Sequence, residues 1–303
     1  MAGQMPDVLA VDERFLSTRD GTRVAYHVVG KGTPVLLANG LGGSWRAWTH
    51  QIRHFQDRCR FLSWDYRGLY RSSRPADLST VAPPDQARDG VEILDAEGVE
   101  RAVVFGWSMG VQVALEIARQ APERVAALVL INGVAGTPWA TIGNSRALGC
   151  LAPHILDVAA RVPGALHRGT LRAVAWPHTP RVLKAMGLAS ETIDMKLFHT
   201  LSSSFGELDM SVYVETLRRL GEHDAHDVLP GLRVPLLMLA GGSDRMTPRA
   251  AAERIVCGAP DAELTVVPRG THYLAVEFPM LVSARIDRFL CERHVLAASG
   301  RSA

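Results

Sequence analysis

The pentapeptide Gly106-Trp107-Ser108-Met109-Gly110 sets one hydroxyl between two glycines, directly after the apolar run 102–105 and before a helical pattern over 109–120. A strand turning sharply into a helix there leaves the serine on a strained corner, and the glycines leave room for backbone where a Cβ would collide. A serine hydroxyl is a poor nucleophile until a base takes its proton, so the motif requires a histidine, and a carboxylate to orient it. Both occur late in the chain. Asp244 follows the apolar run 234–240 in Gly241-Gly242-Ser243-Asp244, and His272 follows the run 264–267 in Arg269-Gly270-Thr271-His272. Each lies just past the carboxyl end of an expected parallel strand, the edge where open α/β sheets place their sites.

Bringing residues 108, 244 and 272 together needs elements that deliver three strand ends to one edge. Two runs, 15–17 and 24–29, flank Asp20-Gly21 and predict an antiparallel hairpin. Strands are then expected at 35–38, 61–64, 102–105 and 126–131, alternating with helical patterns at about 45–55, 85–97 and 109–120. This alternation is that of a mostly parallel α/β sheet with right-handed crossovers and helices on both faces. From 135 to 229 it stops, and helical periodicity broken by Pro138, Pro153, Pro163, Pro177 and Pro180 predicts an inserted helical cap. The pattern resumes with strand 234–240, a helix after Thr247-Pro248, strand 264–267 and a last helix at about 279–291. The expected layout is therefore core over 1–134, cap over 135–229 and core over 230–303, with the small polar tail 297–303 expected to fray.

With these elements, the motif and the chain order Ser108, Asp244, His272 resemble the α/β-hydrolase-fold serine hydrolases that carry a helical cap, of the small-esterase type. The resemblance runs from the Asp20-Gly21 hairpin to Glu277-Phe278-Pro279. It implies Ser108 as nucleophile, His272 as general base and then acid, and Asp244 as the orienting carboxylate. Asn39-Gly40-Leu41-Gly42-Gly43 resembles the family's His-Gly-x-x-Gly loop, which implies an oxyanion hole made by the Leu41 and Met109 N–H groups. Four positions depart from the pattern. Asn39 replaces the usual histidine, and Val111, Tyr70 and Thr271 stand where relatives have glycine. The implied reaction is hydrolysis of a carboxylic ester of small to medium, mainly apolar substrate through an acyl-enzyme, with no metal or cofactor. The same triad also serves lactone, amide or carbon–carbon hydrolysis and acyl transfer, and some members of the fold bind ligands without catalysis. Tyr273, where carbon–carbon-cleaving relatives tend to carry tryptophan, favours esters. A nucleophilic aspartate is excluded because residue 108 is serine. A neutral imidazole must accept the proton, so activity is expected to rise through about pH 6–7.

The resemblance implies a small-molecule substrate, and composition disfavours some other partners. The 33 Lys+Arg against 31 Asp+Glu leave a formal charge of +2 and no large positive field, so no nucleic-acid partner is expected. No apolar run approaches the roughly 18 residues of a membrane span. Asp7, Asp12, Glu13 and Arg14 interrupt any secretory h-region, which points to the cytoplasm. Cys59, Cys150, Cys257 and Cys291 are scattered and read as reduced thiols. His50 and His54 have metal-pair spacing, but without the Glu of H-E-x-x-H they read as a helix face. Asp65 and Arg67 read as a structural turn, and His223-Asp224-Ala225-His226-Asp227 as a solvated loop. Of the cap residues Trp139, Trp176, Met186, Met195, Phe198, Phe205, Met210 and Tyr213, most are expected to pack and some to line a pocket above Ser108. Trp107 is expected to prop the turn from within.

Overall fold

The computed structural model describes residues 9–140, 146–176, 178–179, 182, 184, 189–190 and 192–296. The expected fraying of 297–303, and Pro177, Pro180 and Met186, lie outside the described residues. Eight strands, β1 (Asp12–Ser17), β2 (Arg23–Gly30), β3 (Thr33–Ala38), β4 (Cys59–Trp64), β5 (Ala102–Trp107), β6 (Val125–Ile131), β7 (Leu236–Gly241) and β8 (Ala262–Val267), form one sheet in the order β1-β2-β4-β3-β5-β6-β7-β8. β2 runs antiparallel to β1 and β4, and every other pairing is parallel. The hairpin turns at Gly21 (φ +83°), where the Asp20 carboxylate accepts from Thr22 N (3.1 Å) and Thr18 Oγ1 (2.7 Å).

The central strands read as unbroken apolar runs because both their faces are covered. Leu36, Leu128, Leu130, Met238 and Ala240 meet α2 (Pro83–Ala96), α3 (Met109–Gln120) and α8 (Arg249–Gly258) on one face. Val35, Leu37, Val129, Ile131 and Leu239 meet α1 (Thr49–Phe55) and α10 (Pro279–Glu292) on the other. Between β6 and β7 lie α4 (Arg146–Arg161), α5 (Pro163–Ala175), α6 (Met195–Ser204) and α7 (Met210–Glu222). α6 and α7 begin on Asp194 and Asp209, each accepting two first-turn N–H groups. The helix expected at 45–55 is a 3₁₀ turn, Trp45–Trp48, leading into α1. Trp48 at the junction has ψ near 8° and buries its indole against Asn39, to which Nε1 donates (3.0 Å). A short helix that periodicity did not suggest, α9 (Leu274–Glu277), follows His272 directly.

Asp65 and Arg67 sit buried below this edge of the sheet. Arg67 forks onto Asp89 (Nε–Oδ2 2.7 Å, Nη2–Oδ1 2.6 Å) and also reaches Asp20. Among the described residues no guanidinium forks onto Asp65: its carboxylate accepts Arg71 N at 3.2 Å, and its carbonyl accepts the Ser72 hydroxyl. Burial pushes the Asp65 carboxyl up to about 7, only partly opposed by the Arg71 N–H. A folded value raised above the unfolded one favours folding while the group is protonated, and that contribution is lost as pH rises through the folded value. Asp65→Asn, which cannot ionise, is therefore expected to raise Tm relative to wild type at pH 8 but not at pH 4. Parallel Tm curves for the two proteins from pH 4 to 8 would refute this.

Of the cysteines described, Cys59 is buried, Cys291 half-buried and Cys257 exposed, all as free thiols. No helix among the described residues is long and apolar enough to cross a membrane, and no three of their His, Cys, Asp or Glu side chains cluster as metal ligands.

Candidate active site

β5 passes into α3 through Ser108, whose backbone adopts φ +57°, ψ −118°, a region that L residues rarely enter. Two close approaches make the turn possible. A Cβ on Gly106 would lie 2.4 Å from the Gly110 carbonyl oxygen, and one on Gly110 would lie 2.0 Å from the Ala38 oxygen. The strained corner is held by Ser108 N, which donates to the carbonyls of Ile131 (3.2 Å) and Asn132 (2.7 Å) at the end of β6.

The loops after β7 and β8 bring the two other residues to this corner. His272 Nε2 lies 2.9 Å from Ser108 Oγ, and His272 Nδ1 lies 2.9 Å from Asp244 Oδ2. Asp244 and His272 are both buried, at 5% and 4% exposure, so the relay is shielded from bulk water. Asp244 is held on both oxygens: Oδ1 accepts Met246 N (2.8 Å) and Thr247 N (3.1 Å), and Oδ2 accepts Thr247 Oγ1 (2.6 Å). Burial alone would push this carboxyl up, but the His272 charge and hydrogen bond, with those from Thr247, outweigh it and hold it below its ordinary value. Asp244 is therefore an anion wherever His272 could act as a base.

Asn132 ties the three loops together. Its Nδ2 donates to the Thr271 (2.7 Å) and His272 (3.1 Å) carbonyls, its Oδ1 accepts Gly241 N (2.7 Å), and its own carbonyl receives Ser108 N. Trp107 Nε1 donates to the His272 carbonyl (3.0 Å), so this side chain props the histidine loop as well as lining the space above it. Thr271 is bound through N (2.7 Å) and Oγ1 (2.5 Å) to the buried carboxylate of Glu277 on α9, which also accepts Ser190 N (2.7 Å).

The loop after β3 forms the opposite wall. Asn39 is fully buried, donates to Ser63 Oγ (3.1 Å) and the Trp64 carbonyl (2.9 Å), and accepts from Trp48. Gly42 takes φ +70°, and the Tyr70 hydroxyl donates to its carbonyl while lying 3.3 Å from Ser204 Oγ on α6. Met109 is the first residue of α3, so its N–H belongs to the amides that a helix leaves without an internal partner. Leu41 and Met109 both border a cavity of about 250 Å³ whose floor is Ser108 and His272. Its walls are largely apolar and include Trp139, Leu201, Phe205 and Leu217 from between β6 and β7. Among the described residues, no lysine, arginine, aspartate or glutamate lines it.

A family model described as the alpha/beta hydrolase fold matches residues 33–279. The chain belongs to that family. Among curated relatives of this alpha/beta hydrolase is the "Putative carbamate hydrolase RutD" of Azorhizobium caulinodans, 30% identical over 260 residues that cover 84% of this chain and 89% of the relative. Solved structures with the same fold include a hydrolase from Pseudomonas aeruginosa PA01 (TM-score 0.73, 24% identity, 92% of this chain and 98% of that one). A thermophilic esterase from Thermogutta terrifontis also has a TM-score of 0.73, at 22% identity over 93% of this chain and 99% of the other. The expected α/β-hydrolase architecture is thus the one observed, and these three relatives carry the names of hydrolases or an esterase.

Within this hydrolase the sequence motifs converge: Ser108, Asp244 and His272 meet through hydrogen bonds, and Leu41 and Met109 border the same cavity. The solvated loop expected at 223–227 is observed at Asp224, His226 and Asp227, whose side chains are exposed, and the chain departs from it at His223. His223 is largely covered; its Nε2 lies 2.8 Å from Glu116 and its Nδ1 contacts Gln112, because α3 and α7 close over it. His50 and His54 face Asp194 (3.3 Å) and Asp287 (3.9 Å) separately. The anchoring roles of Asn132, Tyr70 and Glu277 were missed by sequence reading. The one local signal was that Asn132 follows a strand at the edge that carries Ser108.

Proposed function

We propose that the chain is a serine esterase that hydrolyses a small to medium, uncharged, mainly apolar carboxylic ester through an acyl-enzyme, with no metal or cofactor. The observation that carries this reading is the continuous relay from Asp244 through His272 to Ser108, with 2.9 Å at each histidine nitrogen, on the floor of an apolar cavity. His272 Nε2 takes the proton as Ser108 Oγ bonds to the ester carbonyl carbon. The negative charge moves to the carbonyl oxygen, which the Leu41 and Met109 N–H groups receive. As the C–O bond to the alcohol breaks, His272 returns the proton to the leaving oxygen. Water then enters, gives its proton to His272 and releases the acid from Ser108 by the same steps in reverse order. In this reading residues 135–229 act as a cap over a catalytic core formed by 1–134 and 230–303, and the cap's Trp139, Phe205 and Tyr213 shape the acyl site.

The cavity also favours an ester over the substrate named for the RutD relatives. If the carbamate is an anion, it would find no lysine or arginine among the described lining residues, whereas an alkyl or aryl ester gains roughly 25 cal/mol for each Å² of apolar surface it buries. A fluorophosphonate probe, whose phosphorus mimics the attacked carbonyl, is expected to modify the protein once, at Ser108, and to leave Ser108→Ala unmodified. Intact mass and peptide mapping read this directly. A folded wild-type protein that stays unlabelled would overturn the reading.

A further inference from the structure

The cavity contains more hydrogen-bonding capacity than the acyl-transfer chemistry uses. Most of the polar side chains on its walls are already bound. Gln112 donates to the Gly136 carbonyl (2.8 Å) and contacts His223, Thr247 Oγ1 donates to Asp244 (2.6 Å), and Trp107 Nε1 donates to the His272 carbonyl (3.0 Å). Tyr213 and Tyr273 differ. Both rings line the cavity, and neither hydroxyl has a hydrogen-bond partner among the described residues. The nearby Tyr70 shows the contrast, since its hydroxyl is engaged by Gly42 and Ser204.

Both rings are fixed beside the reacting atoms. Tyr273 adjoins His272 in the chain and is wedged between Trp107 and Phe198, with ring centroids 5.4 Å and 5.3 Å away. Tyr213, on α7, packs against Phe205 (6.0 Å) and so closely on Gly42 that a Cβ there would lie 3.1 Å from its ring. Gly42 is the neighbour of Leu41, so one phenol stands on the histidine side of the cavity and the other on the oxyanion side. Burial raises both phenols, Tyr273 to about 12 and Tyr213 well above its ordinary value, with Tyr273 and Tyr70 adding to the rise at Tyr213; both remain protonated donors at neutral pH. A rigid phenol hydroxyl that no protein group occupies is free to donate to whatever enters the cavity, so a pair of such donors beside the reacting atoms offers a place for a ligand oxygen.

From this pair of uncommitted donors we infer that Tyr213 and Tyr273 form a specificity subsite for a second oxygen on the substrate: a keto, hydroxyl or ether oxygen on the acyl chain near the scissile carbonyl. The inference rests on the esterase reading for its turnover assay but not for its binding assay. The substrate class becomes an uncharged, oxygen-bearing acyl ester. A carboxylate in the same place is disfavoured, because two phenols offer hydrogen bonds but no countercharge.

Ethyl hexanoate, ethyl 3-oxohexanoate and ethyl 3-hydroxyhexanoate share one carbon skeleton and differ only in that oxygen. With kcat/KM measured by pH-stat and corrected for each ester's hydroxide-catalysed rate, the wild type is expected to favour an oxygen-bearing ester by about tenfold or more, as for a site built around a hydrogen bond. In Tyr213→Phe and Tyr273→Phe the ratio is expected to fall several-fold, and in the double variant to about 1, whatever each variant's absolute rate. Calorimetric binding of the same three esters to Ser108→Ala protein should give the same ranking without turnover. Turnover of all three esters with no wild-type preference, or a preference that survives in the double variant, overturns the subsite and leaves the esterase intact. Failure to turn over or label, with the preference kept in the binding assay, overturns the esterase reading and leaves the subsite.

Discussion

Asp244→Asn is expected to lower kcat for ester hydrolysis by about 10⁴ while the protein stays folded. The geometry explains why so small a change costs so much. Met246 N and Thr247 N both donate to Oδ1, which selects the amide oxygen of an asparagine for that position. Its NH₂ group must then occupy the place of Oδ2, facing Thr247 Oγ1 and His272 Nδ1. An N–H pointing at Nδ1 needs a lone pair there, so the imidazole proton moves to Nε2, which faces Ser108 Oγ. A nitrogen that already carries its proton cannot take the serine's, and the hydroxyl stays inert.

The substitution also removes a charge contribution to folding with a definite sign. The Asp244 carboxyl is held below its ordinary value, so its stabilisation is present above the unfolded value and is lost as pH falls through the folded one. Wild type should therefore lose more Tm than Asp244→Asn between neutral and strongly acidic pH. Steady-state rates at pH 7–8, with ¹⁵N chemical shifts of the His272 ring reporting which nitrogen is protonated, test both parts. A variant within tenfold of wild type would remove Asp244 from the relay.

What was legible in the sequence was local. The turn at Ser108 announces itself because its parts are neighbours: an apolar run, glycines two residues either side, and a helix of regular period. Asp244 and His272 were found for the same reason, each a few residues beyond an apolar run, and the sheet does the rest by delivering parallel strand ends to one edge. What escaped joins distant segments. Asn132 reaches 109 residues to Gly241 and 139 to Thr271, and nothing in Asn132-Gly133 records those partners. It is nevertheless the residue that bonds all three loops of the candidate site. Arg67 looked like part of a turn, yet it is among the most deeply buried side chains, pairing with Asp89 22 residues away on α2. The loop at 223 misled at one position because four polar residues around an alanine suggest solvent, whereas α3 supplies Gln112 and Glu116 to receive His223. Composition describes a segment's average. Burial is decided side chain by side chain by what packs against it.

Leu41→Pro is expected to cost about 10²–10³ in kcat, the usual effect of losing one oxyanion donor, because proline has no N–H to offer. Two features of the loop separate that loss from general damage. The neighbouring backbone is pinned independently of residue 41, through Asn39 buried against Ser63, Trp64 and Trp48, and through the Gly42 carbonyl held by Tyr70. The Leu41 side chain borders the cavity, so an apolar contact with substrate is lost as well. Leu41→Ala isolates that second effect, since it shortens the side chain but keeps the N–H. The alanine variant should mainly raise KM, the proline variant mainly lower kcat, because the oxyanion is fully charged only near the transition state. Fluorophosphonate labelling divides them again: its phosphoryl oxygen uses the same donors, so Leu41→Pro should label slowly at Ser108 and Leu41→Ala at nearly the wild-type rate. Equal kcat in the two folded variants would assign the hole to Met109 and some donor other than Leu41.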